Sequence, residues 1–331
     1  MKWHLDFNIP QFPFEIHYQD KIFAIGSCFA ENLSQWLEER HFNVLSNPSG
    51  VLFNPMSILS TLNACVHFPK YTNGKFIFFD KQDNCYKSFL HQLDIFTQDK
   101  QTLFNHIYQI EEKAHHFLQT TQYLFITFGS AFVYEHKEYQ IIVANCHKQP
   151  SQLFELKLLS VDEIVNAYST FIQKFRQFNP NVKIVFSVSP VKYLAYGLIN
   201  NTMSKSTLIL AVHRLCKEFS DVYYFPAYEW IVDDLRDYRF YKEDMAHPNE
   251  MAIRYVMKKF SDTMLSEHSK LLVQKMEIVL QAMQHKLRFK ESESTKTFAK
   301  NLLKQCEEIE QHFQGIELKK EKAYFLSLLQ D

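Results

Sequence analysis

Glycine is scarce in this chain: 331 residues contain six, where average usage of about 7% would give roughly 23. Few positions can therefore adopt backbone conformations closed to other residues, so each remaining glycine marks a turn or a close approach. Gly26, Gly50 and Gly129 follow or interrupt apolar runs of strand length. The six cysteines (Cys28, Cys65, Cys85, Cys146, Cys216 and Cys306) include no Cys-x-x-Cys pair, which argues against a zinc ribbon and a disulfide scaffold. Excess charge is missing too. A net charge of -1 gives no long-range field for nucleic acid or anionic lipid. No run of about 18 apolar residues occurs, and the opening Met1–Phe7 stretch lacks a basic start before an apolar segment. The expectation is a cytoplasmic protein with neither a nucleic-acid nor a membrane partner.

What is present is a large core-forming fraction: 46% hydrophobic against 22% charged. The stretch Lys21–Ile25 is apolar and of strand length, and it meets Gly26, Ser27 and Cys28 before Leu33, Trp36 and Leu37, which have helical spacing. That order is strand, tight turn, helix start. It places two nucleophilic side chains at the carboxyl edge of a sheet, facing the positive end of a helix. Short strands are expected at 41–45, 123–128, 182–188 and 222–225, and helices between them, with a helical stripe of Ile164, Val165, Tyr168, Phe171, Ile172 and Phe175. Strands that alternate with helices predict a parallel sheet of five strands covered on both faces. Asn54 before Pro55 reads as a helix start.

Residues 70–120 read as an insertion, with short extended runs at 75–80 and 85–90 before a helix from about Lys100. A second extended pair, at 132–134 and 139–144, leads into Asn145-Cys146-His147-Lys148, a polar loop that could fold back over the site. From about Ser266 the composition shifts to Lys, Glu, Gln and Leu at helical spacing, which predicts two or three amphipathic helices. The domains expected are 1–262 and a helical extension over 263–331, whose apolar stripes offer a route to a homo-oligomer.

Asp244-x-x-His247 supplies a base and an orienting carboxylate, since a buried Asp beside one imidazole nitrogen fixes the tautomer and leaves the other to take a proton. Of the two nucleophile candidates, Cys28 is the better placed, because a thiolate is favoured near a helix N-terminus and a histidine; Ser27 is suited to capping the helix and stands as the alternative.

Together, a Gly-x-nucleophile turn after the first strand, glycines after later strands and Asp-x-x-His ahead of the last core helix resemble the SGNH, or GDSL-type, hydrolase superfamily. Gly26-Ser27-Cys28-Phe29-Ala30 spells the signature of the GSCFA domain family. The resemblance covers about residues 20–260 and includes Asn47-Pro48-x-Gly50-x-x-x-Asn54-Pro55, Asn145–Lys148, Ser189-Pro190-Val191, Ser204-Lys205, Phe225-Pro226-Ala227-Tyr228-Glu229 and Leu235–Tyr241 through His247-Pro248. It implies a three-layer α/β/α fold of SGNH-hydrolase, flavodoxin-like type, and acyl-ester chemistry. In the superfamily's Gly-Asp-Ser motif the nucleophile stands third, a position that falls on Cys28. It also implies oxyanion donors at the Cys28 and Gly50 N–H groups, while the Asn that supplies the third is missing from Gly129-Ser130-Ala131-Phe132. Ser130, Asn54 and Asn145 are the candidates to replace it, with Gly129 and His147 as further contacts to substrate.

The expected activity is that of a hydrolase or O-acyltransferase without cofactor or metal. Its substrate is a small-molecule or carbohydrate ester, and its intermediate an acyl group on Cys28. The competing readings are a non-catalytic saccharide- or acyl-binding module on the same fold, and a metallohydrolase using Asp244, His247, His147 and Cys146.

Overall fold

The computed structural model describes residues 7–70, 72–286 and 292–329. Residues 1–6, most of the opening Met1–Phe7 stretch, lie outside the described residues. The chain divides into two compact units. One takes in Phe7 and Asn8, Asp20–Trp36 and Asn43–Lys258; the other takes in Ile9–Gln19, Leu37–Phe42 and the described residues from Lys259 onward.

In chain order the first unit contains β1 (Lys21–Gly26), α1 (Cys28–Glu38), β2 (Asn43–Ser46) and α2 (Pro55–Val66). Then come β3 (Ile77–Asp80), β4 (Cys85–Ser88), β5 (Phe96–Thr97), α3 (Lys100–Leu118) and β6 (Tyr123–Phe128). β7 (Phe132–His136), β8 (Ile141–Val143), β9 (Phe154–Leu158) and α4 (Val161–Phe178) follow. The unit is completed by β10 (Lys183–Val188), α5 (Gly197–Glu218), β11 (Val222–Tyr224), the short α6 (Ala227–Glu229) and the start of α7 (Glu250–Met264).

The main sheet has the order β11-β10-β6-β1-β2, and every pairing in it is parallel. Parallel neighbours need crossovers, and the apolar runs of β1, β6 and β10 are buried almost throughout because both faces are covered. Phe23, Ile25, Leu124, Ile126, Ile184 and Phe186 pack with Tyr168, Phe171 and Phe175 of α4 and Leu208 and Leu215 of α5. By the two-residue period of a strand, Ile22, Ala24, Phe125 and Val185 are buried on the opposite face.

The order in which strands are added reverses between β1 and β6, the switch point of a doubly wound parallel sheet, and the crevice beyond the carboxyl ends there is where such folds bind ligands. Two small antiparallel sheets, β3-β4-β5 and β8-β7-β9, are inserted after α2 and after β6. The first falls in the stretch read as an insertion. In the second, β9 is a strand the sequence reading did not anticipate, and α5 begins at Gly197, two turns ahead of the Ser204-Lys205 motif.

The second unit carries α8 (Glu267–Gln284), α9 (Glu293–His312) and α10 (Lys319–Ser327), with Tyr18 Oη donating to the Gln314 carbonyl at 3.1 Å. No helix among the described residues is long and apolar enough to cross a membrane.

Candidate active site

The turn after β1 is built on Gly26. Its φ is +135°, and a Cβ there would lie 2.1 Å from the Thr127 carbonyl oxygen, so only glycine fits against the neighbouring strand. The Gly26 N–H donates to Asn47 Oδ1 at 2.8 Å, its carbonyl accepts from Leu52 N at 2.9 Å, and Ser27 N donates to the Thr127 carbonyl at 3.1 Å. The Asn47-Pro48-x-Gly50 motif thus serves the backbone of the nucleophile turn. Gly50 supplies its own tight turn, donating its N–H to the Asn47 carbonyl at 2.8 Å, and it does not line the cavity. Its expected role as an oxyanion donor is corrected accordingly: that hydrogen is already held.

Ser27 is 2% exposed, and its Oγ has no hydrogen-bond partner among the described residues. The helix begins instead on the Ser27 carbonyl, which accepts from Ala30 N at 2.8 Å and Glu31 N at 3.3 Å, so the expected side-chain cap is not made. Cys28, the first helical residue, is half-buried. Burial, with Glu31 adding to it, pushes its thiol above the ordinary value, outweighing its own backbone N–H and Lys242. The resting group is therefore a thiol, which corrects the expected thiolate: desolvation disfavours the anion more than the helix start favours it.

A cavity of about 430 Å³ opens at this edge of the sheet. It brings together Ser27, Cys28, Asn54, Gly129, Ser130 and Asn145 with His247. Cys28 and His247 form no hydrogen bond with each other among the described residues. Asp244 Oδ2 lies 2.6 Å from His247 Nδ1, and its other oxygen accepts from Ala246 N and His247 N, each at 2.9 Å. These bonds hold the carboxyl down at about 2, so the partner of Nδ1 is an acceptor-only carboxylate, which assigns a hydrogen to Nδ1 and turns Nε2 away from that contact. Asp244 is exposed rather than buried, with 48% of its side chain accessible.

The donors proposed for the missing third position are all on the wall and all engaged. Ser130 Oγ accepts from Phe132 N at 3.1 Å and lies 3.3 Å from Ser204 Oγ. Asn54 caps α2 through Ser57 N, at 2.8 Å, and donates to Ser57 Oγ at 2.9 Å. Asn145 donates to Gln92 Oε1 at 2.8 Å and accepts from His147 N at 2.7 Å. An amide nitrogen has two hydrogens, so Asn54 and Asn145 each keep one.

His147 is not in the cavity. It is buried beneath the inserted strands, with Nε2 2.8 Å from the Ser88 carbonyl and its ring against Phe78, and burial lowers its pKa. Its expected contact with substrate is corrected on that ground. The set Asp244, His247, His147 and Cys146 is likewise not assembled, and no group of three His, Cys, Asp or Glu among the described residues is arranged to hold a metal.

Three contributions were not read from the sequence. Lys205 Nζ, fully buried, donates to the carbonyls of Gly129 at 2.6 Å and Ser189 at 2.7 Å, and desolvation lowers its pKa to about 7. It clamps two of the turns that line the cavity, while the preceding Ser204 Oγ accepts from Ala131 N at 2.7 Å. Phe132, Tyr134, Tyr193 and Tyr196 form an aromatic wall, tied by a 2.5 Å bond from Tyr196 Oη to Tyr134 Oη. Lys192 reaches the same cavity. The Ser204-Lys205 and Ser189-Pro190-Val191 motifs were the available signals for the clamp; nothing local marked the tyrosines.

The model of the GSCFA family matches residues 21–260, and that of the GSCFA domain protein, C-terminal domain, matches residues 276–331. The chain belongs to the GSCFA family. No curated protein matches it.

Proposed function

We propose that the protein is an SGNH-type hydrolase or O-acyltransferase that carries a small acyl group on Cys28. The observation that supports this most is that one cavity receives both the half-buried Cys28 thiol and His247, whose Nδ1 is held 2.6 Å from Asp244. Because the thiol is protonated at rest, the base must act during attack. His247 Nε2 takes the Sγ proton as sulfur bonds to the ester carbonyl carbon, and the carbonyl electron pair moves onto oxygen. The Cys28 N–H, at the start of α1 where helix N–H groups have no intrahelical acceptor, is the donor assigned to that charge. Collapse breaks the bond to the alcohol oxygen, which takes the proton back from Nε2 and leaves as alcohol. Water or an acceptor hydroxyl then gives its proton to Nε2 and attacks the thioester, and the thiolate leaves and is reprotonated. Ser27 is less suited to this role, since its Oγ is sealed from solvent while Cys28 is half-exposed.

Brief exposure to an activated acetyl ester, followed by intact mass and peptide mapping, tests the assignment. A single acetyl adduct on the Cys28 peptide is expected, absent in Cys28→Ala and slower to form in His247→Ala. An adduct on Ser27 would overturn the nucleophile, and neither adduct nor turnover would favour a non-catalytic binding module.

A further inference from the structure

Lys192, like the buried Lys205, meets no carboxylate among the described residues. Lys87 and Lys157 each meet a carboxylate, at 2.8 Å from Asp80 and 2.6 Å from Glu135. Among the described residues Lys192 meets none: its Nζ sits 3.8 Å from the centre of the Tyr241 ring and 4.4 Å from that of Tyr238, and its one oxygen contact there is the Met245 carbonyl at 3.4 Å. Aromatic faces fix an ammonium in place without cancelling its charge. Its backbone N–H donates to the Ala246 carbonyl at 3.1 Å, which sets the stem beside the turn that carries His247. None of the residues lining the cavity is Asp or Glu, and Lys192 is the one lysine or arginine among them. Beside it stand Tyr193 and Tyr196, with ring centres 4.9 Å apart, and Tyr196 packs at the same distance on Phe132. A neutral ester would leave this charge without a counter-ion in a partly desolvated place, and burial already lowers the Lys192 pKa.

We infer that the cavity takes an ester bearing an anionic group, a carboxylate or a phosphate, which Lys192 binds while the tyrosine wall packs against the ring or chain next to it. This rests on the cavity being the substrate site of the proposed acyl transfer. Lys192 is then a specificity residue, and the anion fixes which end of the ester faces Cys28.

The test compares 4-acetoxybenzoate, 4-acetoxyphenyl phosphate and neutral 4-acetoxybenzamide, each corrected for its reactivity with hydroxide, on wild type, Lys192→Met and Lys192→Glu. In parallel, binding of 4-hydroxybenzoate, 4-hydroxyphenyl phosphate and 4-hydroxybenzamide to the same three proteins is measured by calorimetry. At low salt, kcat/KM for an anionic ester is expected to exceed that for the neutral one by about tenfold, the size of a charge-assisted hydrogen bond. That ratio falls towards one in Lys192→Met, inverts in Lys192→Glu, and shrinks as salt screens the charge. The anion giving the larger ratio identifies carboxylate or phosphate. Equal turnover of charged and neutral esters would overturn the inference and leave the proposed function standing. Lys192-dependent binding of an anionic phenol without turnover of any ester would do the reverse. No turnover and no selective binding would overturn both.

Discussion

The cavity joins two regions built on opposite principles. Its floor is made of the turns after β1, β6 and β10, where Gly26, Gly129 and Ser189 are fixed by backbone bonds to neighbouring strands and loops, and the last two also by the buried Lys205. Its arm, residues 238–249, is irregular and solvated, and it is held mainly by bonds to itself: Lys242 N to the His247 carbonyl at 2.7 Å, Asn249 N to the Phe240 carbonyl at 2.9 Å, and the Asp244 contacts. The nucleophile candidate belongs to the floor and the base candidate to the arm. The difference teaches that precision and adjustability are placed on separate elements, so damage to the floor should appear as lost stability and damage to the arm as lost rate.

Gly26→Ala is the harshest way to break that division. A Cβ at 2.1 Å from the Thr127 oxygen, on a backbone at φ +135°, cannot be absorbed by a side-chain movement. A loss of at least about 3 kcal/mol in denaturant unfolding is expected. A variant within 1 kcal/mol of wild type, by the usual scale for a tolerated substitution, would show the turn to be compliant.

Lys205→Met comes next. Two buried carbonyls lose their donor, at a cost of about 2–4 kcal/mol. The pH dependence sharpens the point. Native Lys205 titrates near 7 and the unfolded side chain near 10.5, so between these values the unfolded state holds more protons and stability rises with pH. Above about 8.5 the half-buried thiols of Cys146 and Cys216, each pushed up to about 11, oppose it. Between pH 7 and 8.5, then, wild-type stability should rise more steeply than that of the variant, by at most about 1.4 kcal/mol per pH unit. Parallel curves would mean that the native lysine is not perturbed.

The floor was largely legible in the chain and the arm only by motif. Apolar runs that end in a scarce glycine identify β1 and β6, and the stripe from Ile164 to Phe175 identifies α4, because burial on both faces leaves a plain pattern. β9 was missed because Phe154-Glu155-Leu156-Lys157-Leu158 is a five-residue alternation paired only with β7, and Leu156 faces solvent. The first two turns of α5 carry Leu198 and Ile199 exposed, so no buried stripe announced them. Gly50 and His147 sit in recognisable motifs, but a motif does not say which way a side chain or N–H points. Lys192 and the tyrosine wall converge only through tertiary structure, which spacing along one segment cannot express.

Asp244→Asn tests the arm. The carboxylate accepts three hydrogen bonds within its own turn and sits in solvent, so its removal should leave the melting temperature unchanged while releasing the imidazole tautomer. An adduct-forming rate about tenfold lower is expected, smaller than for a buried orienting Asp because water can replace part of the contact. Since Asp244 titrates near 2, activity lost between pH 4 and 6 cannot be assigned to its protonation. A melting temperature that fell together with the rate would make the arm as structural as the floor.

The smallest effect falls on Cys28, where floor and arm meet. Four influences compete at this thiol: burial and Glu31 raise its pKa, and its own backbone N–H and Lys242, on the arm, lower it. Glu31→Gln should therefore move the pH profile of iodoacetamide alkylation downward and Lys242→Met upward. Burial, the largest cause, survives both changes, so the midpoint should stay above the ordinary thiol value of 9.0. A thiolate already paired with His247 would instead react at a plateau rate through neutral pH, as a preformed ion pair does. Such a plateau would join the nucleophile to the arm before substrate arrives, and the division between a fixed floor and an adjustable arm would fail at the residue where it matters to the chemistry.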